Sequence, residues 1–352
     1  MIEKEHLSPY QTSLINKLEA MGKKRVAGKK LTPNLLSKEK YVIHHRNLRY
    51  YMMKGLQLKK IHRVISFEEK PWLAQYIELC TSKRQQAQSN FEKDFWKLMV
   101  NSLYGKTIEN KRKHSKVVFL TDKKQINKVV NKPLFDQFSI INENFVIAKL
   151  RRPKVYLDKP IAVGFSVLEF AKLHMYQLHY DTFKSYYGQD IKLIYTDTDS
   201  FIYHIKTNDL YADLGKFGAI MDFCDYPKDH PLHNTQNKKK LGYLKDEMNG
   251  NQIYEVIAIK SKMYVIVSDD GEKKTAKGTQ RCIVEKQLTR DQYYNCLYNE
   301  EIFYNVNHRL ESREHKIRAI EVKKISLSPL DDKRWAIDNV YTHAFGHYAT
   351  IN

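Results

Sequence analysis

Residues 192–205 read KLIYTDTDSFIYHI, and their reading decides the fold. Two apolar runs flank Thr196-Asp197-Thr198-Asp199-Ser200, and a short polar string between two strand-like runs is a hairpin signal. Residues 253–267 (IYEVIAIKSKMYVIV) read as two further strands. Between and before these strands the pattern is helical, so the expected class is α+β, an antiparallel sheet with helices packed on it. Gly164 to Tyr187 reads as one long helix, with Leu168, Leu173, Met175, Leu178 and Phe183 at its apolar positions.

Working outward, Pro71 sits where a helix's first turn favours proline. Trp72, Tyr76 and Leu79 then share a face, followed by Phe91, Phe95, Leu98 and Met99. The polar break at 81–90 (TSKRQQAQSN) predicts the tip between two antiparallel helices, and Gly105 predicts the end of the second. Residues 115–157 hold short apolar runs (KVVFL, FSII, FVIAKL, KVYL) with Pro133 and Pro153 between them, which predicts a small β-rich unit. Residues 1–70 read as irregular, apart from a strand at Tyr41 to His45 and a helix from Asn47 to Leu58 ending near Gly55. Beyond about residue 270 the expectation is polar helices near 289–300 and 300–311, with 331–347 closing the chain. No repeat of 20–50 residues is present.

The chain has 352 residues, with 60 Lys+Arg against 40 Asp+Glu and a net charge of +20. Its 42% hydrophobic and 12% aromatic content supplies a core that a disordered basic tail would lack. So large a positive excess suits a polyanion, and nucleic acid is the commonest. No amphipathic basic helix with a strong apolar face argues for a membrane surface, no run of 18 apolar residues argues for a spanning helix, and MIEKEHLSPYQ is no secretory signal. The basic runs KKRVAGKK (23–30), LKKIHR (58–63), ENKRKHSK (109–116), KLRRPK (149–154) and NKKKLGYLK (237–245) are interleaved with apolar residues and read as faces of folded elements. Together they favour a long contact path. Cys80, Cys224, Cys282 and Cys296 form no C-x-x-C pair and read as free thiols in a reducing, intracellular compartment; a nuclear location fits.

Two strings carry chemistry. In Lys97-Leu-Met-Val-Asn101-Ser-Leu-Tyr104-Gly105, the residues Lys97, Asn101 and Tyr104 fall at i, i+4 and i+7 and share a helix face. Lys93 extends the stripe by one turn, and Gly105 lets another backbone approach. An ammonium can meet a phosphate as a point charge, while the amide and phenol can meet sugar or base. In Tyr195-Thr-Asp197-Thr-Asp199-Ser200 the two carboxylates are i and i+2, so on a strand they would project to one face and repel. A divalent cation relieves that repulsion, and Mg²⁺ takes one or two carboxylates plus substrate phosphates. Two such ions about 3.5–4 Å apart are what two-metal phosphoryl transfer needs. Each string fixes five residues, so each should arise by chance in roughly one in ten thousand chains of this length.

With both strings in this order, the sequence resembles the type B DNA polymerases. KLMVNSLYG is similar to their fingers-helix motif, YTDTDS to their palm metal-binding hairpin, and Lys262-Met-Tyr264 to the K-x-Y motif that holds the primer end. NFEKDFWKLMVNSLYGKTIEN, DYPKDHPL (225–232) and LSPLDDKRW (327–335) resemble the protein-primed branch, above all the Polinton (Maverick) transposons, and the likeness covers nearly the whole chain. The resemblance implies a palm sheet, a two-helix fingers projection and a small thumb. It divides the chain into palm remainder (1–70), fingers (71–114), β-rich insertion (115–160), palm with hairpin and K-x-Y (161–268) and thumb (269–352). It makes Asp199 the metal-binding carboxylate with Asp197 beside it, and two Mg²⁺ the cofactors. Lys93 and Lys97 would grip the incoming triphosphate, with Arg84 or Lys83 as a third cation, and Lys97 would protonate the leaving pyrophosphate. Asn101 and Tyr104 would sit under the nascent base pair, and Gly105, Lys262 and Tyr264 against DNA. The partners implied are template–primer DNA, dNTPs and a terminal priming protein. The insertion would encircle the template.

The family's upstream D-x-x-S-L-Y-P does not occur in residues 1–96, where the nearest string is His6-Leu-Ser8-Pro-Tyr10, and no exonuclease region precedes it. The expectation is therefore the C-terminal half of a polymerase, with little activity by itself. The alternative is a catalytically dead remnant that still holds nucleic acid. A metal-dependent nuclease shares the paired carboxylates but leaves the lysine stripe unexplained.

Overall fold

The computed structural model describes residues 7–21, 32–313 and 316–350. The basic run at 23–30 lies outside them. Mixed helices and small antiparallel sheets make up the chain, in keeping with the α+β expectation.

Helix α1 (Pro9–Ala20) opens on a capping box between Ser8 and Gln11, with proline in its first turn. The buried Gln11 side chain also donates to the carbonyls of Asp331 (2.6 Å) and Arg334, fixing the helix to the chain's last segment. Tyr41 to His44 form no strand, and helix α2 (His45–Met53), capped at Lys54 beside Gly55, takes up most of the helix expected from Asn47. The reason is local: the buried His44 ring accepts from the Arg46 N–H at 3.3 Å and starts a helix where a strand would have needed a partner. Asn47 donates to the Glu169 carbonyl (2.8 Å) and seats α2 on the long helix described below. The basic run 58–63 belongs to no helix or strand, contrary to the expectation of a folded face.

Helices α3 (Ala74–Gln86) and α4 (Asn90–Thr107) pack together, and the break between them is shorter than the sequence suggested. A second capping box, Ser89 with Glu92, starts α4 sharply. The helix stops close to Gly105, as expected, though not at the glycine itself. That glycine has open space around it and keeps a helical backbone, and the helix ends two residues later, where the Thr107 hydroxyl donates to the Tyr104 carbonyl (2.8 Å).

Strands β1 (Ser115–Leu120), β2 (Phe135–Asn142) and β3 (Phe145–Arg151) form an antiparallel sheet in the order β1-β3-β2. Helix α5 (Lys123–Val130), not expected from the sequence, covers it and adds Val129 to a core of Leu120, Val146, Ala148 and Leu150. The run KVYL at 154–157 makes no strand. Helix α6 (Ile161–Tyr176) continues through one wide-turn stretch (Gln177–Phe183) into α7 (Lys184–Tyr187), so the single long helix is present with a bulge in its middle. Gly164 lies against the end of α4: a Cβ there would meet Ile108 Cγ2 at 2.2 Å and Thr107 Oγ1 at 2.5 Å. Only glycine allows that approach.

The hairpin β4 (Ile191–Asp197) and β5 (Ser200–Ile205) follows, then α8 (Leu210–Lys216) and the short parallel pair β6 (Met221–Asp222) and β7 (Leu244–Lys245). Strands β8 (Ile253–Lys260), β9 (Met263–Ser268) and β10 (Gly271–Ala276) form a meander. Its core faces α9 (Arg281–Lys286) and α10 (Arg290–Tyr298) through Ile257, Val265, Val284, Tyr293 and Cys296. The second polar helix, expected near 300–311, is a strand. Residues Phe303–Arg313 are β11, paired along their length with β12 (Lys316–Leu327). The pair of β13 (Trp335–Ala336) with β14 (Thr342–His343) and a final 3-10 turn (Tyr348–Thr350) close the described chain. All four cysteines are unpaired. Among the described residues no helix is long and apolar enough to cross a membrane.

Asp213 gives the hairpin region a pH response. Its carboxylate accepts from Thr207 Oγ1 (2.6 Å), Tyr186 Oη (2.8 Å) and Lys216 Nζ (3.0 Å). These hydrogen bonds, Thr207 first, hold its pKa down at about 2. A depressed folded pKa stabilises above the unfolded value, near 3.9, and that stability is lost as pH falls towards about 2. Melting curves recorded between about pH 5 and 2 are expected to fall less steeply for Asp213→Asn than for the unaltered chain. Equal slopes would remove Asp213 from the acid response.

Candidate functional site

Strand β4 ends at Asp197, which pairs with Ser200, so Thr198 and Asp199 make a two-residue hairpin loop. Such a loop needs a left-handed residue, and Thr198 supplies it at φ +60°. For a β-branched residue that conformation costs about 1–3 kcal/mol and persists only where the surroundings impose it. Asp199 N–H donates to the Asp197 carbonyl (2.6 Å), and Thr198 Oγ1 donates to Asp197 Oδ1 (3.3 Å). Asp197 lies on the strand and Asp199 beyond it, so the two carboxylates do not share a strand face. Asp199 is exposed in the turn, and the two carboxylates are neighbours through the turn, not through the pleat.

A second tight turn meets this one. Lys260 pairs with Met263, so Ser261 and Lys262 form the β8–β9 loop, with Lys262 at φ +60°. Lys262 N–H donates to Tyr195 Oη (2.8 Å), and Lys262 Nζ lies 3.3 Å from Asp197 Oδ2. The rings of Tyr195 and Tyr264 approach to 4.9 Å between centroids. Two sequence strings more than sixty residues apart thus meet turn to turn, and Tyr195 is the residue that the sequence reading left without a role. Its place inside YTDTDS was the available signal.

The stripe is intact on α4. Lys97 and Asn101 are exposed, Lys93 and Tyr104 are half-buried, and Gly105 is exposed. Arg84 and Lys83 lie in the last turn of α3. None of Lys83, Arg84, Lys93 and Lys97 pairs with a carboxylate among the described residues. No hydrogen bond, ion pair or ring contact among those residues links the stripe to Asp197, Asp199, Lys262 or Tyr264. Two basic residues join the helix pair instead, from the run at 237–245. Gln85 Nε2 donates to the Lys238 carbonyl (3.2 Å), and Lys239 Nζ donates to the Arg84 carbonyl (3.4 Å).

Asp197 and Asp199 have the donor chemistry for Mg²⁺, which accepts one or two protein carboxylates. Among the described residues no group of three or more His, Cys, Asp or Glu is placed to hold a metal. What this arrangement offers is two carboxylates at a strained turn, a lysine and two tyrosines beside them, and a separate cationic helix face. The family model for DNA polymerase type B, organellar and viral, matches residues 6–185, just over half of the chain. The match takes in the helix pair and its stripe and stops short of the hairpin. No curated protein and no solved structure matches the chain.

Proposed function

The chain belongs to the organellar and viral type B DNA polymerases, and on that premise we propose that it extends a DNA primer by template-directed addition of dNTPs. The observation that carries the reading is the contact of Lys262 with Asp197 and Tyr195, because it brings the K-x-Y turn against the YTDTDS turn. In the reaction the primer 3′-hydroxyl attacks the α-phosphate of the dNTP and pyrophosphate leaves. Asp197 and Asp199 would hold Mg²⁺, which when bound neutralises charge on the reacting oxygens. Lys262 and Tyr264 would hold the primer end beside those carboxylates, in keeping with the Lys262–Asp197 contact. Lys93, Lys97 and Arg84 bind the triphosphate, and Lys97 is the acid for the leaving pyrophosphate. Asn101 and Tyr104 would sit under the nascent pair, with Gly105 against DNA.

Two carboxylates are half of a two-metal cage. The string D-x-x-S-L-Y-P is not in the sequence, so the remaining carboxylate would come from residues other than these 352. Priming by a terminal protein follows from the likeness to the protein-primed branch alone.

The test is limited trypsin digestion with and without dNTP and primer–template. Cleavage after Lys83, Arg84, Lys93 and Lys97 is expected to slow several-fold with the matched dNTP. Equal cleavage with and without nucleotide would sink the reading. The second reading, a remnant that holds DNA without chemistry, is favoured by the lack of a third metal-ligating group among the described residues. It predicts slowing by DNA alone and none from dNTP.

A further inference from the structure

The loop between β6 and β7 is pinned from below. Buried Asn237 donates through Nδ2 to the carbonyls of Gly218 and Met221, both at 3.0 Å. Lys239 follows at φ +55°, and its N–H donates to the buried Asp222 carboxylate at 2.8 Å. The loop then touches the last turn of α3 through the Lys238 carbonyl and the Lys239 ammonium. Lys239 is thereby held beside Arg84 and within electrostatic reach of Lys93 on α4. Burial, and then the like charges of Lys238, Lys93 and Arg84, pull its ammonium below the usual lysine value. Its ammonium makes no ion pair among the described residues: Asp225, which feels its charge, is paired with Lys245 instead. Glu92, next to Lys93, turns back to accept from the Gln88 N–H at 3.0 Å and the Ser89 N–H at 3.5 Å.

Cations from three separate elements, fixed by hydrogen-bonded backbone and making no ion pair with a carboxylate among the described residues, suit one compact ligand of several negative charges. We propose that Lys239 joins Arg84 and Lys93 in gripping the triphosphate of the incoming nucleotide, which makes the segment 237–239 a third wall of the nucleotide site. The proposal rests on the polymerase reading above. Convergence on one place favours a triphosphate over a DNA backbone, whose charges would call for cations set out in a line. A plainer role also exists: a lysine at the C-terminal turn of α3 satisfies a free carbonyl and the helix dipole.

Calorimetric titration with inorganic tripolyphosphate, dATP and a short DNA duplex separates these. Lys239→Asn is the variant, because asparagine tolerates the left-handed backbone. Lys240→Asn is the control, since Lys240 is exposed with its ammonium 4.6 Å from the Tyr243 ring centroid. Lys239→Asn is expected to weaken tripolyphosphate and dATP about tenfold, or ~1.4 kcal/mol, with duplex affinity and the control unchanged. Lower melting temperature with unchanged tripolyphosphate affinity would reduce Lys239 to a helix cap and overturn the proposal. So would a loss confined to the duplex, or failure of the unaltered chain to bind tripolyphosphate. Loss of tripolyphosphate binding in a chain whose helix pair dNTP does not protect from trypsin would keep the cradle and drop the polymerase reading.

Discussion

Primer–template DNA is expected to leave this chain steeply as salt rises, with affinity falling about a thousandfold or more between about 50 and 200 mM monovalent salt. The chain carries a net charge of +20. Each phosphate that a lysine or arginine neutralises releases a counterion, so the logarithm of affinity falls linearly with the logarithm of salt. A drop of that size needs about six or more phosphate contacts. Cations that pair with no carboxylate among the described residues are available on several elements: Lys93 and Lys97 on α4, Lys116 on β1, Lys149 on β3, Lys192 on β4, and Lys323 and Lys324 on β12. Fluorescence anisotropy of a labelled primer–template across a salt series measures the slope directly. Asp199→Asn should leave the affinity unchanged or slightly tighter, because it removes a negative charge from the surface that meets the phosphates. A slope near zero would mean that the positive charge is plain surface solvation and would remove DNA as the partner.

What the sequence made legible was periodic or punctuated. The α4 stripe follows from a period of 3.6 that nothing interrupts, and the β4–β5 hairpin from two apolar runs around a turn string. The misread strand β11 shows where periodicity fails. Phe303, Val306 and Leu310 recur every three or four residues and imitate a helix, yet pairing with β12 decides the outcome. Leu310 is left 76% exposed, so burial gave that strand no alternating pattern to read. The site divides in the same way. Asp197 and Asp199 could be found from their spacing, but the left-handed Thr198 that sets their geometry could not, because threonine seldom takes that conformation. The contact of Lys262 with Asp197 was beyond reach, since it depends on the relative placement of two hairpins. Lys239 was visible only as part of a basic run, and its place beside Arg84 comes from a buried Asn237 and Asp222 that no charge pattern announces.

Tyr293→Ala is expected to cost about 3–5 kcal/mol of stability, and its effect should reach the site. Tyr293 is fully buried on α10, among Val265, Leu288, Cys296 and Leu327, and its hydroxyl donates to the Thr275 carbonyl at 3.1 Å. Truncation leaves a cavity the size of a ring and strands that carbonyl, against a total stability of about 5–15 kcal/mol for a typical domain. Tyr293→Phe keeps the ring and should lose only about 1 kcal/mol with the hydrogen bond. Urea unfolding of the pair separates packing from hydrogen bonding. The link to the site runs through β9, whose Met263 and Val265 belong to the same core and which Lys262 of the preceding loop adjoins. The Lys262 amide donates to Tyr195 Oη, so its hydrogen exchange reports whether the K-x-Y turn stays seated on the hairpin. Tyr293→Phe should keep that amide protected, whereas Tyr293→Ala should expose it at urea concentrations that leave the β1-β3-β2 sheet, with its separate core, protected. Protection lost at the same urea concentration in both regions would show one cooperative unit instead, and Lys262 would then be held by the whole fold, with no special dependence on the packing around Tyr293.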